Sequence, residues 1–98
     1  MKEITAQELK RRLDAGDEIV LIDVREPYEH EEFNIGGELI PLADIVSNVG
    51  RIKEMGNKDI VFYCRSGNRS SMAQKMLAVH GIMNTLNLRG GMNSWRDM

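Results

Sequence analysis

Apolar residues along this chain follow two alternating patterns. The segments Ile19–Val24 and Ile60–Tyr63 are almost unbroken apolar runs, which are typical of strands buried on both faces of a parallel sheet. Shorter strands are predicted around 39–40 and over Thr85–Leu88. Between these runs, apolar residues recur every three or four positions, as they do on one face of a helix. The alternation predicts an α/β fold with about five strands in a parallel sheet and helices on both faces.

Polar and cyclic residues mark where several helices begin. Thr5 followed by Glu8 fits a capping box, which predicts a helix start at this point. A short helix is predicted over 27–32, because proline suits the first helical turn. The spacing of apolar residues predicts a further full helix over 42–49, and another helix is expected to begin near Ser70.

Composition narrows the class of protein. A chain of 98 residues is large enough for one core, so we predict a single domain over residues 1–98. The net charge of −2 gives no reason to expect a nucleic-acid partner. No apolar run approaches the roughly 20 residues that cross a bilayer, so no membrane partner is expected. With one cysteine there is no intrachain disulfide, which favours a reducing cytoplasm, and nothing in the sequence requires more than a monomer.

The only cysteine, Cys64, lies where a predicted buried strand meets a predicted helix. The turn after it is built from small polar residues, glycine and two arginines: Arg65, Ser66, Gly67, Asn68, Arg69 and Ser70. Curled backbone amides, a helix N-terminus and guanidinium charge all lower a thiol pKa from about 8.5. Ligands of open parallel sheets bind beyond the carboxyl ends of the strands, where Cys64 is expected. We therefore predict an active-site loop that holds a thiolate beside a small oxyanion.

A metal site is not predicted. His30, His80 and Cys64 are scattered along the chain, without the C-x-x-C or H-x-x-x-H spacing of common metal sites. We accordingly expect neither a metal nor another cofactor.

A charged pair, Asp23 and Arg25, follows the first long strand. We predict a structural role, in which Asp23 accepts hydrogen bonds from loop or helix amides and Arg25 clamps a neighbouring segment. The acidic stretch over 29–32 is interpreted as a solvated helix face.

Three segments together resemble the rhodanese-like sulfurtransferases. Residues 23–29 (DVREPYE) resemble the upstream signature of that family, and residues 63–70 (YCRSGNRS) resemble its active-site loop. Residues 88–91 (LRGG) with Trp95 are similar to its closing segment. The sequence departs from the usual family pattern over 33–38 (FNIGGE), and this segment is one residue shorter than that pattern. The resemblance implies one rhodanese-like domain with a five-stranded parallel sheet flanked by helices.

The resemblance also implies a reaction and a set of site residues. The Cys64 thiolate would take the outer sulfur of thiosulfate or a related donor and form a persulfide. Cyanide, a small thiol or a protein acceptor would then remove that sulfur. Backbone N–H groups of residues 65–70 would stabilise the persulfide charge, and Arg65 or Arg69 would attract the sulfonate of the sulfur donor.

Two alternatives stay open. Cysteine phosphatases and arsenate reductases of a related fold place five residues between cysteine and arginine and usually have histidine before the cysteine. This chain has Ser70 at that arginine position and Tyr63 at that histidine position. A non-catalytic interaction module is the second alternative. Loss of the nucleophile is the expected mark of such a module, and Cys64 is present.

Overall fold

Five parallel strands form one sheet in this computed structural model, which describes residues 2–98. The strand order is β1-β5-β4-β2-β3, and every neighbouring pair is parallel. The strands are β1 (Glu3–Ile4), β2 (Ile19–Asp23), β3 (Glu38–Leu39), β4 (Asp59–Tyr63) and β5 (Thr85–Leu88). The predicted α/β fold with a five-stranded parallel sheet is confirmed.

Helices lie between successive strands, and one more helix follows β5. They are α1 (Ala6–Asp14), α2 (Pro27–Glu32), α3 (Val49–Lys53), α4 (Asn68–Val79) and α5 (Gly91–Arg96). The predicted start of α1 is confirmed, because the Thr5 hydroxyl oxygen accepts a hydrogen bond from the Glu8 amide at 3.1 Å. Within residues 2–98, none of these helices has both the length and the apolar character that crossing a bilayer would take.

Both faces of the sheet are covered, because successive side chains of a strand point in opposite directions. Ile60 and Phe62 of β4 contribute to a core on one face, together with residues of α3 and α4 that include Ile52, Ala73 and Leu77. Val61 and Tyr63 contribute to a core on the other face, together with residues of α1 and α5 that include Leu9 and Met92. A strand buried on both faces explains why its sequence lacks polar alternation.

The predicted helix over 42–49 is wrong. Two 3₁₀ turns, Leu42–Asp44 and Val46–Asn48, precede the single α-helical segment Val49–Lys53. The side chains of Ser47 and Asn48 donate hydrogen bonds to the Asp44 carbonyl oxygen at 2.9 and 2.8 Å. Such bonds compete with the main-chain pattern of an α-helix, so apolar spacing alone misled the prediction.

The sheet brings two loops together at one edge. Asp23 of β2 pairs with Tyr63 of β4, and the Val24 amide donates to the Tyr63 carbonyl oxygen at 3.0 Å. The segments that follow these two strands therefore leave the sheet side by side. This geometry places the Asp23 and Arg25 region next to the Cys64 loop.

Candidate active site

The Cys64 sulfur lies inside the loop that follows β4. The Gly67 amide donates a hydrogen bond to Sγ at 3.1 Å, and the Ser70 hydroxyl oxygen lies 3.4 Å from Sγ. Gly67 has a φ of +104°, a backbone conformation that a side chain would strain, and it turns the chain into α4. The helix begins at Asn68, two residues before its predicted start. Loop and helix together surround the sulfur with N–H and O–H groups.

Opposing effects act on the ionisation of this thiol. Burial raises the pKa of Cys64, since a thiolate is poorly solvated inside the protein. Hydrogen bonds from the Ser70 hydroxyl and from the amides of Ser70, Gly67 and Ser66 favour the thiolate and outweigh burial. The pKa of Cys64 is therefore lowered from its ordinary value, as a nucleophilic thiol requires.

Access to the sulfur is restricted. Cys64 is only 1 % exposed, whereas Arg65, Ser66 and Asn68 of the same loop are exposed. A neighbouring cleft of about 230 Å³ lies between α2 and α5, and Arg65 lines it while Cys64 does not. Sγ is therefore covered by surrounding atoms, and Arg65 is the loop residue that borders the open space of the cleft.

Asn87 of β5 holds the loop through two side-chain hydrogen bonds. Its side-chain amide donates to the Gly67 carbonyl oxygen at 3.0 Å, and its carbonyl oxygen accepts from the Ser70 hydroxyl at 2.5 Å. The Ser70 hydroxyl also lies 3.2 Å from the Gly67 carbonyl oxygen, so Asn87, Gly67 and the sulfur are three alternative acceptors for its one proton. The sequence pattern did not point to this residue. The available signal was a polar side chain between two leucines of β5, where Asn87 is 5 % exposed.

The N-terminus of α5 holds the loop from a second side. The amides of Met92 and Asn93 donate to the carbonyl oxygens of Cys64 and Arg65 at 2.9 and 3.0 Å. Gly91 permits this approach, because it has a φ of +55° and a Cβ there would lie 2.3 Å from the Cys64 carbonyl oxygen. The two glycines, Gly90 and Gly91, therefore allow the turn before α5, and Gly91 also allows the close contact with the loop.

Asp23 and Arg25 form a buried ion pair beside the site. The Arg25 Nε and Nη2 atoms donate to the Asp23 carboxylate at 2.9 and 2.8 Å, and Nη2 also donates to the Phe33 carbonyl oxygen at 2.6 Å. His30 Nδ1 donates to the same carboxylate at 2.9 Å. These contacts support the predicted bracing role, since they tie β2 to α2 and to the segment after it.

The two loop arginines have different surroundings. Arg69 donates from both terminal nitrogens to the Glu29 carboxylate at 2.7 and 3.0 Å, whereas Arg65 is exposed at the cleft. The hydrogen bond from Arg69 is the main reason that the pKa of Glu29 is lowered to about 2. Because the Glu29 and His30 side chains are 14 % and 22 % exposed, the prediction of a solvated face over 29–32 is wrong for these two residues.

Several known proteins with similar sequences are named as sulfurtransferases. This chain is 38 % identical over 93 residues to the probable adenylyltransferase/sulfurtransferase MoeZ of Mycobacterium tuberculosis, covering 94 % of this chain but 24 % of that protein. It is 38 % identical to the putative sulfurtransferase YtwF of Bacillus subtilis, covering 97 % and 90 % of the two chains. It is 34 % identical to the thiosulfate:glutathione sulfurtransferase of Saccharomyces cerevisiae, covering 91 % and 73 %. The chain thus spans about a quarter of MoeZ and most of the other two.

A solved structure and a family model agree with these relatives. The rhodanese-like domain protein from Staphylococcus aureus superposes with a TM-score of 0.83 at 30 % identity, covering 97 % of this chain and 91 % of that chain. The model of the rhodanese-like domain matches residues 5–98. Sequence, fold and loop agree, and this chain belongs to the rhodanese-like family.

Proposed function

We propose that this protein transfers a sulfane sulfur from thiosulfate or a similar donor to cyanide or a thiol, through a persulfide on Cys64. The observation that carries the proposal is the hydrogen bond from the Gly67 amide to Sγ at 3.1 Å, within a loop that lowers the pKa of the thiol. Sulfurtransferase names among the relatives support the reaction class.

The first step is nucleophilic displacement at sulfur. The Cys64 thiolate attacks the outer sulfur of thiosulfate, a new S–S bond forms, and the original S–S bond breaks with its electron pair leaving on sulfite. The product is an anionic persulfide on Cys64. The amides of Ser66, Gly67 and Ser70 stabilise this charge as they stabilise the thiolate, because both anions occupy the same loop.

The second step restores the thiolate. Cyanide or an acceptor thiolate attacks the terminal sulfur of the persulfide, the S–S bond breaks, and its electrons return to Cys64. With cyanide the product is thiocyanate. With a thiol the product is a new persulfide on the acceptor, which is either a small molecule or a protein.

Arg65 is the loop cation proposed to attract the sulfonate of the donor. It is exposed, it follows the nucleophile directly, and it lines the cleft of about 230 Å³ between α2 and α5. A guanidinium group presents pairs of N–H donors that can bind two oxygens of one oxyanion. Ser66, Gly67, Asn68 and Ser70 are proposed to shape the space around the transferred sulfur, and Arg69 is treated separately below.

We also propose a cellular location and an oligomeric state for this enzyme. A reducing cytoplasm suits a thiol enzyme with a single cysteine, since that thiol then stays reduced. We propose that the protein acts as a monomer, because the loop and its supports come from one chain. No cofactor is required by either displacement step.

The phosphatase alternative is disfavoured by the loop itself. Phosphoryl transfer depends on positive charge placed against the equatorial oxygens of the phosphoryl group, and the related phosphatases have an arginine after five loop residues. Here Arg69 is held by Glu29, and Ser70 stands at the arginine position of the longer phosphatase loop. The interaction-module alternative is disfavoured by a thiol whose pKa is lowered.

Incubation with thiosulfate followed by intact-mass measurement tests the proposal. We expect a mass increase equal to one sulfur atom on Cys64, reversed by cyanide with release of an equal amount of thiocyanate. The Cys64→Ser variant should fold normally, show no adduct and produce no thiocyanate. Hydrolysis of an aryl phosphate without an adduct from any sulfane donor would overturn the proposal, as would turnover that survives in Cys64→Ser.

A further inference from the structure

An ion pair joins α2 to the loop end of α4. Glu29 and Arg69 meet through two hydrogen bonds, and their side chains are 14 % and 33 % exposed. The Glu29 carboxylate also accepts a hydrogen bond from the Glu26 amide at 3.1 Å, which fixes its orientation on α2. Two parallel N–H to oxygen contacts are the strongest arrangement available to an arginine and a carboxylate.

Arg69 lies in the loop between two residues that contact Sγ: the Gly67 amide donates to Sγ at 3.1 Å, and the Ser70 hydroxyl oxygen lies 3.4 Å from it. The negative charge of Cys64 is among the causes that raise the pKa of Arg69, after the larger effect of Glu29. A free guanidinium at this position would therefore attract an anionic sulfur donor. In the structure its hydrogen-bonding edge is already occupied by the Glu29 carboxylate.

We propose that Glu29 is a specificity-determining residue that withholds Arg69 from the sulfonate of the sulfur donor. By neutralising Arg69, it lowers the affinity of the site for oxyanions such as thiosulfate, sulfite and sulfate. Compared with a site in which Arg69 is free, this arrangement shifts donor preference away from thiosulfate, which keeps only Arg65, and toward donors without a sulfonate group, such as organic persulfides and trisulfides. This inference rests on the proposed function, since it concerns the sulfur donor of that reaction.

Glu29 holds Arg69 at every ordinary pH. Its pKa is lowered to about 2, chiefly by the hydrogen bond from Arg69, so the carboxylate stays charged in neutral solution. Only competition from another anion releases the guanidinium. A donor that carries a sulfonate must therefore displace a neighbouring carboxylate before it gains the second arginine of the loop.

Anion binding can be measured without chemistry in a Cys64→Ser background. Isothermal titration with sulfate would compare this parent with Glu29→Gln, which keeps an oxygen to accept from the Glu26 amide. The matched control is Glu31→Gln, which removes the same charge from an exposed position of the same helix. We expect Glu29→Gln to bind sulfate at least about tenfold more tightly than the parent, and Glu31→Gln to stay within about twofold.

A double variant shows whether the gain passes through Arg69. Glu29→Gln combined with Arg69→Gln should lose the gain in sulfate affinity. Equal affinities in the Glu29 and Glu31 variants would overturn the inference, as would a gain that persists without Arg69. Circular dichroism and thermal melting establish that each variant is folded.

Kinetics of the Cys64 enzyme give the second readout. In Glu29→Gln the KM for thiosulfate should fall by about tenfold with little change in kcat, while the KM for an uncharged organic trisulfide stays the same. Unchanged KM values for both donors would overturn the inference. If no variant forms a persulfide but Glu29→Gln still binds sulfate more tightly than Glu31→Gln, the proposed function fails, and Glu29 still withholds Arg69 from oxyanions. If persulfide forms but the variants bind sulfate equally well, the proposed function stands and the role of Glu29 fails.

Discussion

Burial and hydrogen bonding act in opposite directions on the Cys64 sulfur. A thiol that is 1 % exposed would ordinarily be inert, because desolvation disfavours its charged form. The loop reverses this preference by aiming the Gly67 amide at Sγ and by placing the Ser70 hydroxyl 3.4 Å away. The same enclosure that hides the sulfur from large reagents thus keeps it ionised for small ones.

Removing the Ser70 hydroxyl should weaken this balance. We expect Ser70→Ala to raise the pKa of Cys64, because burial remains while a hydrogen bond that favours the thiolate is lost. Thiolate then appears at higher pH, and the rate of persulfide formation near neutral pH falls. Ultraviolet absorbance of the thiolate against pH measures the midpoint without requiring a reagent to enter.

Two matched variants sharpen that measurement. Ser71→Ala changes the adjacent residue of α4, whose hydroxyl makes no hydrogen bond to Sγ, and should leave the midpoint unchanged. Cys64→Ser supplies the background from tyrosine, and burial raises the pKa of Tyr63 to about 12, well away from the thiol. A midpoint that moves down in Ser70→Ala would contradict the assigned role of the hydroxyl.

At the residue scale, sequence predicts what is local and misses what is distant. The Cys64 loop was predictable because strand, glycine and arginines are contiguous in the chain. The partners Asn87 and Glu29 were not, since they lie 20 residues from Gly67 and 40 residues from Arg69. A single sequence does not show which distant residues pair. The one signal for Asn87 was its position between two leucines of a predicted strand.

Among the elements, α5 is tied to the active-site loop by its backbone. Gly91 allows the first turn of α5 to approach Cys64 so closely that no side chain fits between them. The four-residue strand β5 and the preceding Gly90 deliver α5 to this position. The contact fixes the carbonyl groups of the loop and leaves its amides free to face the sulfur.

Gly91→Ala should therefore damage the site and the fold together. A Cβ at this positive φ would lie 2.3 Å from the Cys64 carbonyl oxygen, so α5 or the loop must shift. We expect the free energy of unfolding to fall by at least about 1 kcal/mol and sulfur loading from thiosulfate to slow. Urea denaturation and adduct formation measure the two effects.

Gly50→Ala is the matched control for that substitution. Gly50 lies inside α3, and a Cβ there would meet no atom within 4 Å. Alanine favours a helix over glycine by up to about 1 kcal/mol, so this variant should be slightly stabilised and load sulfur normally. Equal behaviour of the two alanine variants would show that the close approach of α5 has no consequence.

Element prediction succeeded where one signal dominated. The apolar runs of β2 and β4 and the cap of α1 were read correctly, because each depends on adjacent residues. The segment 42–49 failed, because Ser47 and Asn48 bond to the Asp44 carbonyl and disrupt the helical pattern that the apolar residues suggest. The two-residue strand β1 went unrecognised, since its pairing with β5 depends on the distant end of the chain.

Across the whole molecule, the Asp23 and Arg25 pair connects parts that the sheet alone does not hold. Asp23 is fully buried and Arg25 is 4 % exposed, and together they reach His30 of α2 and the Phe33 carbonyl. Both charges have lost water, and each depends on the other for compensation. Loss of one partner would leave the other buried and unpaired.

Asp23→Asn should be strongly destabilising for this reason. We expect the free energy of unfolding to fall by about 3 kcal/mol or more, as when one partner of a buried pair is removed. The control is Asp14→Asn, which breaks the exposed pair between Lys10 and Asp14 and should change stability by less than about 0.5 kcal/mol. Urea denaturation of both variants decides the matter, and similar values for the two would contradict the bracing role.

The general architecture followed from the sequence, whereas the arrangement of charges did not. Alternating strands and helices left few topologies possible, so a parallel sheet covered on both faces was predictable. Which arginine is paired depends on where the fold places Glu29 of α2 relative to the first turn of α4, and these residues lie 40 positions apart in the chain. Arg69 looked available in the sequence and is held by Glu29 in the fold.

The hydrogen bonds between α5 and the loop do not involve side chains. They run from main-chain amides of Met92 and Asn93 to main-chain carbonyls, so exchanging a side chain such as Asn93 leaves both bonds in place. The outer rim of the cleft can thus acquire new chemistry while the reactive centre keeps its shape. Redesign of the proposed preference for sulfur donors could begin at Asn93 and Arg96, both of which line the cleft and are exposed.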